Sequence, residues 1–272
     1  MLDYVSGYDG STVKLDSGPL HVGTATDLRS REWSYTLGHR GIGGAVRPSR
    51  EASLELTCTE PAALDRARRV FDRDVRSGTV GELVCAGEWR TRALVTGQSP
   101  STVHMGFVSA KLTVVLVDGV WRRSHELHVP IQSGGDGGGL DLECDLPCDL
   151  SPVPAPATVD AGWGGGAVGL LLYGPASNPS VTIGGNLYQV LTEVPDGARV
   201  EVDGLRRTVT LVHIDGTRVD ATADAVRGTG VGGGSYIFQP LPPGESRIES
   251  DGGFAFDVIW HDEEGEPPWS RS

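Results

Sequence analysis

The segment Val181–Val190, with the sequence VTIGGNLYQV, predicts the local fold of this chain more clearly than any other stretch. Val181–Ile183 and Asn186–Val190 are two short strand-like runs, one on each side of Gly184-Gly185. The two glycines supply the positive φ angles that a two-residue turn between antiparallel strands needs. The segment therefore predicts a β-hairpin, with one strand on each side of the glycines.

The sequence on the C-terminal side of this segment repeats the same arrangement. In Ala198–Asp203, Val200 and Val202 share one face, and Gly204 turns the chain toward the next run. Short strands at this spacing, separated by turn residues, are typical of a β-sandwich. The other strands predicted here are Thr208–Ile214, Tyr236–Phe238, the run around Ile248, and Phe254–Trp260.

One long helix is predicted, and it lies in the first half of the chain. It begins at Pro61, because proline is favoured in the first turn of a helix, and it extends to Arg76, before Ser77-Gly78. Arginines and aspartates, Asp74 among them, form the opposite, solvated face. The apolar face, which we expect to pack on the core, comprises Leu64, Ala67, Phe71 and Val75.

Strands precede and follow this helix. Ala52–Cys58 alternates cleanly, with Leu54 and Leu56 on one face. Further strand-like runs are Val80–Cys85, Trp89–Val95 and Phe107–Val117. Several strands with one helix predict an N-terminal β-sandwich or split barrel, so we expect the whole chain to be mainly β.

The composition suggests two domains. We place the boundary near Asp118–Trp121, which gives domains 1–120 and 121–272, each long enough to bury a core of its own. The first connections of the second domain, at about 132–166, are rich in glycine and proline and are predicted to be loops. The 39 glycines and 17 prolines of the 272-residue chain favour short strands joined by turns over helices.

Charge and hydropathy exclude several classes of function. A formal net charge of −13 argues against sequence-specific nucleic-acid binding, which needs a basic footprint on the phosphates. An acidic protein still tolerates DNA passing close by, because like charges do not adhere. No apolar run approaches the roughly 20 residues that span a bilayer, and the N-terminal residues do not resemble an export signal.

No catalytic, cofactor-binding or metal site is predicted. Gly164–Gly169 matches the glycine pattern of dinucleotide-binding loops, but the strand-like Leu170–Tyr173 follows it where such a site needs a helix. His125 and His128 lie near Glu126 without a third ligand, which favours ordinary exposed side chains over a metal site.

The four cysteines fall into two groups. Cys58 and Cys85 lie in apolar runs and are predicted to be small buried residues. Cys144 and Cys148 have the spacing C-x-x-x-C, and no second pair of zinc ligands follows at a matching spacing. Free thiols are favoured for this pair, while a local disulfide and a zinc site stay open as alternatives.

Several motifs occur in a recognisable order along the chain. In the second half they are Asn178–Gly185, Tyr188, Gly197–Asp203, Tyr236–Phe238 followed by Pro243-Gly244, and Pro267–Trp269; in the first half they are Trp33, the charged helix with Asp74, Gly78–Leu83, and Trp89-Arg90. In this order they resemble the distal tail proteins of long-tailed siphophages. The resemblance covers nearly the whole chain, but the Cys144–Cys148 loop and the Gly/Pro-rich insertions between residues 132 and 166 depart from the family pattern.

The resemblance implies a non-enzymatic structural hub of the virion tail, assembled in the cytoplasm of the bacterial host. In that family the N-terminal domains form a ring, usually a hexamer, and the C-terminal half is a galectin-like β-sandwich that points outward. The implied partners are further copies of the chain, the tail-tube protein, a tail-associated lysin or fibre protein, and receptor-binding proteins. The ring would let DNA pass through its lumen.

Carbohydrate binding is the alternative function, since a galectin-like sandwich can hold a sugar against an aromatic ring on a strand face. An exposed tryptophan beside Asp, Asn or Arg would favour this function, whereas core packing explains a buried one. The candidate platforms are Trp121, Trp163, Trp260 and Trp269.

Overall fold

The computed structural model describes residues 1–30, 32–39, 41–104, 106–131 and 157–267. The chain forms two compact units: Met1–Arg123 together with the chain from Glu263 onward, and Ser124–Asp262. The first unit therefore ends three residues beyond the predicted boundary of 120. The sequence did not predict that the chain from Glu263 onward belongs to the first unit again. Cys144, Cys148 and the predicted loops up to residue 156 lie outside the described residues.

The prediction of a mainly β chain with one long helix is confirmed for the described residues. A single α-helix, α1, spans Pro61–Ser77 there, and two short 3₁₀ turns cover Thr26–Arg29 and Thr222–Asp224. The strands of the first unit are β1 (Leu2–Val5), β2 (Thr12–Lys14), β3 (Leu20–Val22), β4 (Ser34–Gly38), β5 (Gly41–Val46), β6 (Arg50–Cys58), β7 (Gly81–Cys85), β8 (Trp89–His104), β9 (Phe107–Leu116) and the beginning of β10 (Trp121–Val129).

Seven of these strands form one antiparallel sheet in the order β2-β1-β7-β8-β9-β6-β3. The sheet is open between β2 and β3, which pair within it only with β1 and β6 respectively. The alternating face of β6 and the apolar face of α1 share one core with β8 and β9. Among the described residues, strands β4 and β5 take no part in this sheet and pair only with each other.

The ends of α1 follow from its sequence, but one residue of its predicted apolar face is misplaced. Pro61 occupies the first turn, and Gly78 ends the helix with a φ of 68°, a conformation that glycine adopts without strain. Leu64, Ala67 and Phe71 are buried, as the spacing indicates, whereas Val75 is 46% exposed. At about 100° per residue the buried arc is centred near Ala67, so Val75 lies just beyond its edge and Asp74 lies within it.

The second unit contains the predicted hairpin. β14 and β15 pair with Ile183 opposite Asn186, and Gly184 and Gly185 have φ angles of 56° and 80°. The prediction for Val181–Val190 is confirmed. The strands of this unit are the remainder of β10, β11 (Thr158–Asp160), β12 (Val168–Tyr173), β13 (Ala176–Ser177), β14 (Ser180–Ile183), β15 (Asn186–Gln189), β16 (Glu193–Val194), β17 (Arg199–Asp203), β18 (Thr208–Val212), β19 (Arg218–Asp220), β20 (Glu245–Ser250) and β21 (Phe256–Glu264), of which the last two residues belong to the first unit.

Two main sheets of the second unit share a single core. One has the order β19-β18-β17-β12-β21-β10 and the other the order β11-β20-β14-β15. Leu170, Val200 and Phe256 from the first sheet lie in the same apolar cluster as Ile183 and Ile248 from the second. This arrangement is a β-sandwich, because the inner faces of two sheets exclude water together.

The predicted strand at Tyr236–Phe238 is wrong. These residues lie in a turn, and the side chain of Ile237, which is part of this turn, is fully buried. The side chain of Asn186 replaces a strand partner: its amide donates to the Tyr236 carbonyl at 3.0 Å, and its oxygen accepts from the Tyr236 N–H at 3.1 Å. A buried side chain thus satisfies the backbone groups that a sheet ladder would otherwise pair.

Candidate assembly surface

The hairpin of β4 and β5, which we call the arm, is the most exposed element of the first unit. All of its described residues are exposed, yet it carries large apolar side chains. Leu37 lies opposite Ile42 in the register, so these two side chains share one face of the hairpin, at 73% and 68% exposure. Trp33, Tyr35 and Val46 extend this exposed apolar character toward the base of the arm.

The arm has little within its own chain to stabilise it. A two-stranded hairpin without a core is at best marginally stable in water. At its base the guanidinium of Arg47 lies 4.5 Å from the centre of the Trp33 ring, a cation–π contact that covers one aromatic face. The rest of the apolar surface is left to solvent, which is unusual for a monomeric protein and typical of a surface that binds another protein.

A cleft of about 550 Å³ lies beside the open edges of the same unit's sheet. Apolar groups predominate in its lining, which includes Val13 of β2, Leu20 of β3 and Val70 of α1. Thr12, Lys14 and Arg66 add polar and charged groups. The cleft therefore combines an apolar surface with two strand edges that have no further partner strand among the described residues.

A second hairpin projects from the first unit. β8 is 16 residues long, but its side chains are exposed from Ser99 to His104. Near the tip, the rings of His104 and Phe107 lie 5.1 Å apart and Val103 is largely exposed. This tip is smaller and more polar than the arm, and we regard the arm as the main candidate for contact with another protein.

The arginine-rich face of α1 is solvated, as its composition predicts. A shallow depression of about 550 Å³ is lined by Tyr8, Arg68, Arg69, Asp72, Arg73, Arg76 and Ser77. Arg73 forms an ion pair with Asp9 at 2.6 Å and lies over the Tyr8 ring, and Arg68 pairs with Asp65 at 3.3 Å. Exposed pairs of this kind contribute little to stability and do not by themselves define a binding site.

Asp74 was assigned to this solvated face, and that assignment is wrong. Its carboxylate is fully buried and accepts hydrogen bonds from the Tyr4 hydroxyl and the Ser6 hydroxyl, each at 2.7 Å. Burial, together with the hydrogen bond to Asp74, raises the pKa of Tyr4 well above its usual range. The polar partners of Asp74 lie about 70 positions earlier in the chain, so helical periodicity carries no signal for them.

The four candidate tryptophan platforms have different environments. Trp121 is 1% exposed and belongs to the first core. No sugar can reach its ring, and the prediction of Trp121 as a sugar platform is wrong. Trp260 is partly covered: it stacks on His125 at 5.3 Å and donates its indole N–H to the Asp160 carbonyl at 2.8 Å. Trp163 is fully exposed in the turn after β11, and Trp269 lies outside the described residues.

The two histidines and the glycine pattern that were weighed as metal or cofactor sites all lie in the described part of the chain. His125 and His128 each bond to a separate carboxylate, Asp262 and Asp257 respectively. No group of three or more His, Cys, Asp or Glu side chains suited to a metal occurs among the described residues. The glycine pattern Gly164–Gly169 runs directly into strand β12, so it lacks the helix N-terminus that a pyrophosphate needs.

A partly buried tyrosine–carboxylate pair lies on the sheet of β12 and β21. The Tyr173 hydroxyl donates to Asp257, which is 3% exposed and also bonds to His128. Burial and the hydrogen bond to Asp257 raise the pKa of Tyr173 to about 12. The cluster fixes side chains on one sheet face.

The arm was the main feature that sequence reasoning missed. The available signal was the alternation Trp33, Tyr35, Leu37 followed by a glycine-rich strand, Gly41–Val46. Alternation predicts a strand but does not reveal whether its apolar face meets a core.

None of the helices in the described part of the chain combines the length and the apolar character that a membrane-spanning helix needs.

Comparison with solved structures gives the chain its relatives by fold. The crystal structure of the Dit protein of phage SPP1, described as a paradigm of the hub adsorption apparatus in phages that infect Gram-positive bacteria, aligns with a TM-score of 0.56 at 9% identity, over 97% of this chain and 99% of that one. Chains of the phage P2 baseplate in its activated conformation, with calcium and with strontium, align with TM-scores of 0.60 at 10% identity, over 98% of this chain and 100% of theirs.

The chain has the fold of a phage baseplate protein. The alignments span both units, so the likeness is not limited to one common sandwich. At this level of identity the likeness establishes the fold and leaves function to be argued from the surface. No protein-family model and no curated protein sequence matches this chain.

Proposed function

We propose that this protein is a structural hub of a phage tail tip, a non-enzymatic ring that joins the tail tube to the baseplate. The observation that carries the proposal is the fold likeness to hub and baseplate proteins over 97–98% of the chain. A hub must present surfaces to several partners. The exposed apolar arm is such a surface, and burial in an assembly would remove its apolar side chains from water.

The proposal assigns a separate role to each half of the chain. The first half, predicted as residues 1–120, holds the ring contacts and forms a hexamer. The second half, predicted as a galectin-like sandwich, points outward and docks receptor-binding proteins or baseplate components. The tail-tube protein and a tail-associated lysin or fibre protein are the expected neighbours in the virion tail, and DNA passes through the lumen without specific contacts.

The mass of the purified protein in solution tests the ring. Sedimentation velocity and native mass spectrometry should give a species of about six times the 28.7 kDa chain, and electron microscopy should show closed rings. A closed ring satisfies each head-to-tail interface, which favours one discrete species over a ladder of sizes. A protein that stays monomeric at high concentration would contradict the proposal.

Carbohydrate binding is the second candidate, and one observation favours it: Trp163 is fully exposed. An exposed indole offers a flat apolar face on which a sugar ring can stack. Under this function the protein is a monomer that binds glycans on an array, and Trp163→Ala abolishes binding. If the intact ring binds glycans, the protein is a hub that also binds carbohydrate.

A further inference from the structure

We propose that the second unit binds a neutral oligosaccharide in a cleft beside the turn of the β14–β15 hairpin. This glycine cleft, as we call it, is lined by apolar residues together with Gly184, Gly185, Gly232, Gly234, Gln239 and Pro242. The inference rests on carbohydrate binding, the second candidate function above, and gives that function a site and a class of ligand.

The glycine cleft is a preformed recess. Its volume of about 470 Å³ lies within the range of about 300–1,000 Å³ that small-molecule sites occupy. Two hydrogen bonds of 2.7 Å hold Gln239 in its wall: its Oε1 accepts the Gly232 N–H, and its carbonyl accepts the Tyr188 hydroxyl. The Gly234 carbonyl accepts the Leu187 N–H at 2.8 Å. Walls that are already ordered lose little conformational entropy when a ligand binds.

The chemistry of these walls favours a neutral ligand that carries hydroxyl groups. Of the described residues that line the glycine cleft, none has a charged side chain. Since glycine has no side chain, a ligand can approach the main chain of Gly185 and Gly232 closely, while Pro240 and Pro242 add apolar surface. A sugar matches this mixture, because its hydroxyls donate and accept hydrogen bonds and its C–H groups are apolar. The net charge of −13 opposes an acidic glycan.

An extended peptide fits this site less well than a sugar. Peptides that bind beside a sheet usually add a strand to an open edge. Here β14 lies between β20 and β15, and the far side of β15 bonds to a loop through Gly234 and through the Val226 N–H, which donates to the Gln189 carbonyl at 2.9 Å. The described part of this sheet therefore offers a peptide no open edge at the glycine cleft.

A buried hydroxyl without a partner lies at the wall of the glycine cleft. Ser246 is 4% exposed, and its Oγ has no hydrogen-bond partner among the described residues. This Oγ lies 3.1 Å from the position that a Cβ on Gly184 would occupy, and Pro242 lies 3.7 Å from the same position. Both Gly184 and Pro242 line the cleft, so glycine leaves an empty place between the cleft and the hydroxyl. A ligand hydroxyl seated over Gly184 would give Ser246 the partner that it lacks.

The fully exposed Trp163 stands on a loop that is bonded to the same wall. The Gly166 N–H donates to the Leu241 carbonyl at 3.2 Å, and the Leu241 N–H donates back to the Gly166 carbonyl at 2.8 Å. At the other end of the loop, the Gly244 N–H donates to the Gly162 carbonyl at 2.8 Å. Leu241 lines the glycine cleft, so the loop places an aromatic face beside it on which a further sugar ring can stack.

An array of neutral and of sialylated or phosphorylated oligosaccharides, probed with the full chain, tests the ligand class. The protein should bind neutral oligosaccharides, and calorimetric titration of the strongest one then compares variants. Pro242→Arg, which directs a long side chain across the cleft from an exposed position, should weaken binding at least about tenfold. Pro243→Arg, at the next exposed position but outside the lining, is the matched control and should bind like wild type.

Ser246→Ala separates a ligand contact from a structural role. It should weaken binding about tenfold, because one hydrogen bond to the ligand is lost. It should leave the melting temperature unchanged or slightly raised, because it removes a buried hydroxyl that has no partner in the unbound protein. Should Pro242→Arg lower the melting temperature, Pro240→Arg, also exposed in the lining, replaces it.

The outcomes distinguish the glycine cleft from carbohydrate binding in general. Binding that is lost in Trp163→Ala but unchanged in Pro242→Arg and Ser246→Ala overturns the cleft and leaves carbohydrate binding at Trp163. A preference for acidic oligosaccharides overturns the neutral ligand class. A wild-type protein that binds no oligosaccharide overturns both the cleft and the second candidate function, while the mass of the protein in solution still decides the proposed ring.

Discussion

Asp74 owes its buried position to hydrogen-bond partners that lie far from it in the sequence. Besides the two hydroxyls of Tyr4 and Ser6, its carboxylate accepts the backbone N–H groups of Gly7 and Tyr8, each at 3.2 Å. These four donors hold the segment after β1 against the last turns of α1. A buried carboxylate is tolerated here because hydrogen bonds replace the water that it loses.

We expect Asp74→Ala to destabilise the protein by at least about 2 kcal/mol, because it leaves buried donors without an acceptor. Asp72→Ala, two residues earlier on the exposed face of the same helix, is the matched control and should change stability by under about 0.5 kcal/mol. Denaturant unfolding monitored by circular dichroism measures both. Equal effects of the two substitutions would show that the Asp74 hydrogen bonds are not important for stability.

Tyr173 should make stability fall in alkaline solution. Its pKa of about 12 in the folded protein exceeds the value near 10 of an unfolded tyrosine, so the folded state favours the neutral phenol. The stability that this contributes is fully present below about pH 10 and is lost as the pH rises toward 12.

Tyr173→Phe should therefore make the loss of stability between about pH 10 and 12 shallower, and Tyr35→Phe, on the exposed arm, should leave it unchanged. Unfolding of the intact protein by denaturant across this pH range is the measurement. An identical pH profile in Tyr173→Phe and wild type would contradict the assigned hydrogen bond to Asp257.

At the scale of elements, one sequence pattern produces opposite environments in β4 and β6. Both strands alternate apolar and polar residues, but β6 buries Leu54 and Leu56 in the first core while β4 exposes Tyr35 and Leu37. The difference lies in pairing: β6 lies between β3 and β9, whereas in the described part of the chain β4 pairs only with β5. Alternation shows which residues share a face, and the neighbouring strands determine what that face meets.

The helix α1 allows a direct test of its buried arc. Leu64→Asp should destabilise the protein by roughly 3 kcal/mol or more, because it buries a charge without a partner. Val75→Asp, in the same helix but beyond the edge of the buried arc, should cost under about 1 kcal/mol. Thermal unfolding measures both, and an unchanged melting temperature for Leu64→Asp would contradict the placement of the helix.

At the scale of the whole molecule, the protein has two hydrophobic cores and an overall acidic charge. Each unit has its own buried cluster, so each has an internal source of stability. The net charge of −13 opposes non-specific binding to DNA and keeps single copies soluble. Assembly into the proposed ring would therefore rely on defined apolar contacts, and the exposed arm offers such a surface.

Removal of metal ions should leave the molecule unchanged. A structural zinc site contributes its binding energy to folding, so its loss would be visible as unfolding. In excess chelator we expect the circular dichroism spectrum and the sedimentation profile to be unaltered. Loss of secondary structure would instead indicate a metal bound by residues beyond the described ranges, with Cys144 and Cys148 as the first candidates.

The sequence by itself determined the features that depend on near neighbours. Two strand-like runs around the Gly184-Gly185 turn predicted the β14–β15 hairpin, and helical spacing with Pro61 and Gly78 placed α1. These signals are local because a turn or a helix end depends on a few adjacent residues. Composition and turn density were sufficient for the mainly β class.

Tertiary structure alone decided which surfaces are buried. It placed Asp74 inside and Val75 outside, buried Trp121 in a core, and left the apolar arm in solvent. Each outcome depends on residues distant in sequence: Asp74 meets Tyr4, and the arm is exposed because no other strand of the described chain pairs with it. Burial is a property of the assembled neighbours, and a linear pattern shows which side chains share a face without showing what will cover that face.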